Sequence, residues 1–394
     1  MRGVDDAAEG ALSAMPAFRD TILAMLHGDP VDRLPFFHWW RHSQIGWAER
    51  AARNRGMGLC WQRPPHTTTL HNVTRTEVHD PAQRPGLHRV IYTTPLGSVY
   101  QDEKREPGVG HWHGLRSWRD VTPWQMTRLI KEEADYAVVQ YIVEHTEYRP
   151  DYFPIEQAQE WLGEDGVVVA ALPHSPLQML MIDWVGSEGG RFYIHHARYR
   201  EKVDALYEAL VKNYASLYEI AARSPADVVL FGDNLDGVLV NPRLFQRYFI
   251  PPYEACAAAV HDHGKYLAVH MDGRLNALNA LIAQTPIDVI EAIHPPPMGD
   301  LAIRDALARW PRKVLWMGYP GSVYTLGPQA VRAHALQLLR SVLPGDRLAI
   351  AMSTENLVSN ANLLMLTAIL ENAHLPLTPE GIDGIEQHVA DLAG

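Results

Sequence analysis

From about residue 166 onward, apolar positions alternate between two periods: short runs too brief for helices, and longer stretches with apolar residues at helical spacing. Val167–Pro173, Asp227–Gly232, Tyr266–Met271, Asp288–Ile293, Lys313–Gly318 and Leu348–Met352 read as strands, with Leu34–Phe37 as an earlier one. Between them, Tyr199–Ala222, Pro242–His263, Asp300–Ala308, Pro328–Val342 and Ser359–Asn372 read as helices, several announced by Pro or Ser near the first turn. Strands that alternate with helices make a parallel sheet, either closed into a barrel or open and doubly wound. No Gly-x-Gly-x-x-Gly follows any of these strands, so the pattern predicts a (β/α)8 TIM barrel of the α/β class, one domain over residues 1–394.

Residues 50–125 break the rhythm. His88–Arg105 looks like two strands around a turn at Pro95–Gly97, and Trp112, Trp118 and Trp124 cluster after it. This stretch is expected to be an inserted cap near the barrel mouth rather than a separate domain.

Composition narrows the function classes. The 394 residues are 47% hydrophobic and 21% charged, ordinary for a globular protein, and 35 Lys and Arg against 46 Asp and Glu give a net charge of −11. No run of Lys and Arg interleaved with aromatics occurs, which argues against a nucleic-acid groove or an anionic membrane surface as partner. Cys60 and Cys256 are too few for a disulfide scaffold or a finger-type zinc site, and fit a reducing, cytoplasmic location. The opening MRGVDDAAEG carries acids where a secretory leader needs basic residues. The most apolar stretch, Val167–Val185, is broken by Pro173, His174, Pro176 and Asp183, short of the roughly 20 apolar residues of a membrane span.

In such a barrel the C-terminal ends of the strands face the mouth, where chemistry is done. Here they read His38-Trp39-Trp40-Arg41, Pro173-His174-Ser175, Gly232-Asp233-Asn234, His270-Met271-Asp272-Gly273, Glu291-Ala292-Ile293-His294, Gly318-Tyr319-Pro320 and Ser353-Thr354-Glu355-Asn356. That every candidate strand ends in polar groups points to an enzyme. Strand alternation puts His270 and Asp272 on one face, and Glu291 ends the next strand. The three could ligate a divalent cation such as zinc or act as general acid and base; a helix-capping Asp272 beside a packed His270 is the structural alternative. Asp233 and Asp236 flank another strand end, where function and turn formation are equally open. His294, before three prolines, reads as a loop histidine, and His111-Trp112-His113 as surface or packing residues of the cap. His38, Trp39 and Trp40 could wall a planar substrate and Arg41 could pair with its carboxylate, with Tyr319 and Glu355 as further binding candidates.

Several segments carry a resemblance. DVVLFGDNLDGVLVNPRLFQRYFIPPYEAC, HGKYLAVHMDGRLNAL, IDVIEAIHPPPMGD and LAIAMSTENLVSNANLLMLTAIL resemble, in order and spacing, the uroporphyrinogen decarboxylase superfamily, over about residues 166–375 and loosely over 25–45. The resemblance implies the same barrel. It also implies a choice of chemistries, because the superfamily includes porphyrinogen decarboxylases and corrinoid-linked methyltransferases. The Met-Arg-Gln-Ala-Gly-Arg stretch of true uroporphyrinogen decarboxylases is replaced here by His38-Trp39-Trp40-Arg41-His42, one Arg for two, which disfavours a substrate with eight carboxylates. The thiol-methylating branch holds zinc with a His-x-Cys pair and a late Cys; here His270 stands with Asp272, and the late position falls at Met352-Ser353. The strand ends at His270-Met271-Asp272-Gly273 and Gly232-Asp233-Asn234 look closer to those of corrinoid-dependent O-demethylases.

What this branch implies is removal of a methyl group from a small ether, with transfer to a corrinoid. His270, Asp272 and Glu291 would hold a metal at the departing oxygen, Asp233 would orient it or relay a proton, and Trp39 with Trp40 would wall the substrate. No Asp-x-His-x-x-Gly corrinoid loop occurs in the chain, so the corrinoid would come on a partner protein. A decarboxylase or hydrolase using the same residues, and a non-catalytic ligand-binding barrel, are the alternatives.

Overall fold

Eight parallel strands close on one another in the computed structural model, which describes residues 17–79, 86–105, 124–352, 354 and 357–391. In chain order they are β1 (Phe36–Trp39), β2 (Gly58–Arg63), β3 (Gly166–Leu172), β4 (Val228–Phe231), β5 (Tyr266–His270), β6 (Val289–Ile293), β7 (Val314–Tyr319) and β8 (Leu348–Met352). Each pairs with its neighbour in the chain, and β1 closes on β8 with Phe36 opposite Ile350, so no edge is left. The expected TIM barrel is what forms.

Alternation explains why these strands are apolar throughout. Inward positions, among them Phe37, Val167, Val169, Val228, Leu230, Ala268, Val289, Trp316 and Ala349, fill the barrel axis. The intervening ones, such as Val168, Val229, Phe231, Leu267, Val269, Ile290, Leu315 and Ile350, pack outward against the helices. Those helices include Arg200–Arg223, Ile303–Arg309, Pro328–Ser341 and Asn360–Leu370, the last capped by the Ser359 hydroxyl, which accepts from the Asn362 amide at 3.1 Å. The helix expected over Pro242–His263 runs unbroken from Pro242 to Asp262, but with a π-turn at Phe245–Phe249 ahead of the α-helix Ile250–Asp262. Pro251 and Pro252 lack the amide hydrogens that would carry one regular ladder across the junction.

The helix Phe18–His27 closes the bottom of the barrel. Phe18, Ile22 and Met25 join the interior cluster, and Arg19 pairs with Asp227, just before β4, at 2.7 Å. A Cβ on Gly58 would sit 2.1 Å from Cγ of Phe18, so the ring rests on bare backbone.

The stretch assigned to the cap contains more than a cap. β2 lies within it: Cys60 points inward, while Leu59 and Trp61 pack outward. The described remainder forms a four-stranded antiparallel sheet of Thr74–His79, Leu87–Thr94, Gly97–Lys104 and Trp124–Gln125. Its central hairpin turns at Pro95-Leu96, with the Thr94 hydroxyl accepting from the Leu96 amide at 3.1 Å. A second pairing joins His66–Leu70 to Thr146–Pro150. His111, Trp112, His113 and Trp118 lie outside the described residues. Among the described residues no helix is long and apolar enough to cross a membrane.

Candidate active site

The C-terminal ends of the strands surround a cavity of about 770 Å³, in the range of small-molecule pockets. Trp39 comes to it from β1, Arg41 and His42 from the short turn Trp40–His42, Gln62 from β2 and His270 from β5. Trp124, Gln125 and Arg128 reach over it from the edge of the cap sheet.

At the floor, Nδ1 of His270 donates to Oε2 of Glu291, which is almost wholly buried. Asp272 stands on the other side of the ring, Oδ2 at 3.6 Å from Nε2. Burial disfavours the charged imidazole, but the charge and hydrogen bond of Glu291, with Asp272, outweigh it and raise His270 from 6.5 to about 10. Burial likewise works against ionisation of Asp272, and the hydrogen bond and charge of His270 outweigh it, holding that carboxyl below its ordinary range.

A β-bulge aims these groups. Glu291 pairs with Trp316 and Ile293 with Met317, so one extra residue, Ala292, stands in β6 with φ of 60°. Regular alternation would send Ile293 inward and His294 outward. The bulge reverses this: Ile293 joins the outer core and His294 swings in over Gly318, where a Cβ would lie 2.2 Å from its Cε1. His294 lies beyond the strand, as expected from its prolines, but is half-buried rather than exposed. It sits beside the site, close enough to feel Asp272 and Glu291, with burial lowering its pKa.

The remaining expected site residues divide by strand face. Trp39 and Arg41 line the cavity, while His38 turns outward, its ring 6.1 Å from that of Tyr324. Trp40 stacks on Trp61 at 4.4 Å outside the barrel, so it does not wall the cavity with Trp39. Tyr319 follows the inward Gly318 and so points outward, its hydroxyl donating to the Val331 carbonyl at 3.1 Å. Asp233 is fully buried and its carboxylate accepts from the Ser175 amide and the Tyr253 hydroxyl, each at 2.6 Å, a position behind the cavity wall rather than in it. Burial raises its pKa. Glu355 lies outside the described residues.

His270, Asp272 and Glu291 are brought together. Among the described residues no group of three or more His, Cys, Asp or Glu side chains is arranged to hold a metal ion. The three form a row of ion pairs, and His270, protonated at neutral pH, would first have to release a proton to offer a lone pair.

Residues not singled out for the site also meet here. His174 and Asp183 face the cavity 2.6 Å apart, and Gln62 lines it from the strand hidden in the cap stretch. The signal for His174 was its place at a strand end; Asp183 showed only as a break in an apolar run.

A parallel barrel with its polar groups gathered at the C-terminal strand ends defines an α/β-barrel protein of the enzyme kind. The profile of the uroporphyrinogen decarboxylase (URO-D) family matches residues 167–371, more than half of the 394-residue chain, and the chain belongs to that family. Among solved structures it is similar to a methyltransferase from Methanosarcina mazei, at 12% identity over 89% of this chain and 97% of that one, with a TM-score of 0.52. Weaker likenesses are to endo-glycoceramidase II from Rhodococcus sp., at 12% identity over 60% and 66% of the two chains with a TM-score of 0.35. An endogalactoceramidase follows at 10% identity over 91% and 81%, with a TM-score of 0.39. At such identities the likeness is one of fold. No curated protein matches the chain.

Proposed function

We propose that the cavity demethylates a small aromatic methyl ether, with a reduced corrinoid on a partner protein as methyl acceptor. The observation that carries this reading is the Glu291–His270–Asp272 row at the floor of a cavity walled by Trp39. An aryl ether is a poor methyl donor because its leaving group is a phenolate, whose conjugate acid has a pKa of about 10 in water. His270, raised to about 10, is matched to that oxygen, so proton transfer to it as the bond breaks is close to balanced. Glu291 holds Nδ1 and keeps the ring charged, and Nε2, with Asp272 Oδ2 at 3.6 Å, would donate to the departing oxygen. Trp39 offers an indole to the substrate ring, and Arg41 stands on the same cavity wall.

The cavity, of about 770 Å³, would take the substrate, and the partner protein would bring the corrinoid. A reduced corrinoid supplies the nucleophile that takes the methyl group. The test is incubation with methoxybenzoates and other methoxylated benzenes and a chemically reduced corrinoid, with phenol release followed by chromatography. Corrinoid-dependent phenol release that is lost in Glu291→Gln supports the reading. Carbon dioxide release from the same substrates, or no product with any of them, overturns it, the former in favour of a decarboxylase.

A further inference from the structure

β3 runs out through Pro173-His174-Ser175, and the chain then winds back over the cavity as a π-helix, Met179–Trp184. In that wider turn the amide of Val185 reaches the carbonyl of Leu180, five residues back, at 2.9 Å. Ile182 and Asp183 are thereby carried to the cavity wall. Oδ2 of Asp183 lies 2.6 Å from Nδ1 of His174, and the His174 ring lines the same cavity. Its loop is held from behind by the buried Asp233, through the Ser175 amide, and by Gln178, whose Nε2 donates to the Asn234 carbonyl at 2.8 Å. The demethylation step above uses none of this apparatus. A π-turn and a fully buried carboxylate are both costly to maintain, and both converge on His174.

Two imidazoles therefore present themselves to one cavity in the same way. Each has Nδ1 held by a carboxylate, Asp183 for His174 and Glu291 for His270; Nε2 of His270 has Asp272 Oδ2 at 3.6 Å, while among the described residues no hydrogen bond engages Nε2 of His174. They are near enough for His174 to feel the charge of His270, and its own charged form, opposed by burial, is sustained by Asp183. The geometry points to His174 as a second ligand-binding group, whose Nε2 takes another oxygen of the molecule whose ether oxygen faces His270. The ligand is then a compact ring bearing a methoxy group and at least one further hydroxyl or carboxylate, a substrate class that rests on the demethylase reading. A ring with the ether oxygen alone leaves Nε2 of His174 unpaired once water is displaced, which weakens its binding.

Affinities of the full chain for methoxybenzene, the three methoxyphenols and the three methoxybenzoates, by calorimetry or ligand-observed NMR, test this. At least one oxygenated ring should bind about tenfold or more tighter than methoxybenzene, and whether phenols or benzoates lead identifies the second oxygen. His174→Leu should erase that preference and Asp183→Asn should reduce it, with melting followed by circular dichroism to establish that each is folded. Asp183→Asn keeps the side-chain volume and serves alone should His174→Leu fail to fold. Equal affinities in the parent protein, or a preference that survives both substitutions, overturn the inference. Binding and turnover separate the two readings: a preference dependent on His174 without demethylation sinks only the demethylase, and demethylation without that preference sinks only the role of His174.

Discussion

Glu291→Gln is the sharpest perturbation of the site, because it removes one charge and almost no volume. The amide oxygen still accepts from Nδ1 of a neutral His270, so the fold survives while the reason for the ring's charge is gone. In the folded protein His270 is raised from 6.5 to about 10, and at about 1.4 kcal/mol per pH unit that difference is a ceiling of about 5 kcal/mol of stability. The sign follows from linkage. A raised imidazole contributes fully below its unfolded pKa near 6.5, and the contribution is lost as pH climbs through about 10. Without the Glu291 charge, burial pulls the ring back toward or below its ordinary value, and this slope should vanish. Urea unfolding of both proteins between pH 6 and pH 10 isolates the effect, since the other groups titrate alike in each. The variant should be less stable by a few kcal/mol at pH 6, with the gap narrowing steadily toward pH 10. A gap that is constant or widens with pH refutes the idea that Glu291 keeps His270 charged, and with it the acid proposed for the leaving oxygen.

Other substitutions probe the neighbours. Asp272→Ala should abolish demethylation while shifting the melting temperature little, since its side chain is 42% exposed; full activity would make Asp272 a bystander. Trp39→Ala removes a wall and a core ring at once, and should cost about 3 to 5 kcal/mol in denaturant unfolding and weaken ring binding, whereas Trp40→Ala should leave ligand affinity alone. Gly318→Ala places a methyl 2.2 Å from Cε1 of His294, so the imidazole must move; its NMR signals should shift and the melting temperature fall, and unchanged signals would show that His294 does not rest there.

How far the sequence could be read depended on how regular the backbone is. The barrel was legible because both faces of β3 to β8 are apolar and the helices between them keep their period. β2 was not, since Gly58–Arg63 offers only Leu59, Cys60 and Trp61 as apolar residues before Gln62 and Arg63, and it sits inside an irregular stretch. The pairing of His270 with Asp272 and Glu291 was legible for the same reason as the barrel, being a matter of alternation carried just past the end of β5 and of register with β6, where His270 stands opposite Glu291. The same rule, applied to β1 and β7, places Trp39 and Gly318 inward and His38, Trp40 and Tyr319 outward. Treating whole strand ends as mouth-facing overlooked that only every second residue can be.

What alternation hides is the place where one residue is inserted. At Glu291-Ala292-Ile293 the extra residue adopts φ of 60° without being Gly or Asn, so no residue type announces the bulge that brings His294 inward. At Met179–Trp184 the extra residue widens a helix into a π-turn, and it is Asp183, in sequence only a break in an apolar run, that the widening carries to His174. Each insertion interrupts a ladder of backbone hydrogen bonds, and a folded chain keeps such interruptions where the surroundings over-determine them. Both occur at the cavity, and both aim a titratable side chain at a histidine or place a histidine itself. The periodicity that makes the barrel readable thus fails at the positions where the site is assembled, because assembling it required breaking the period.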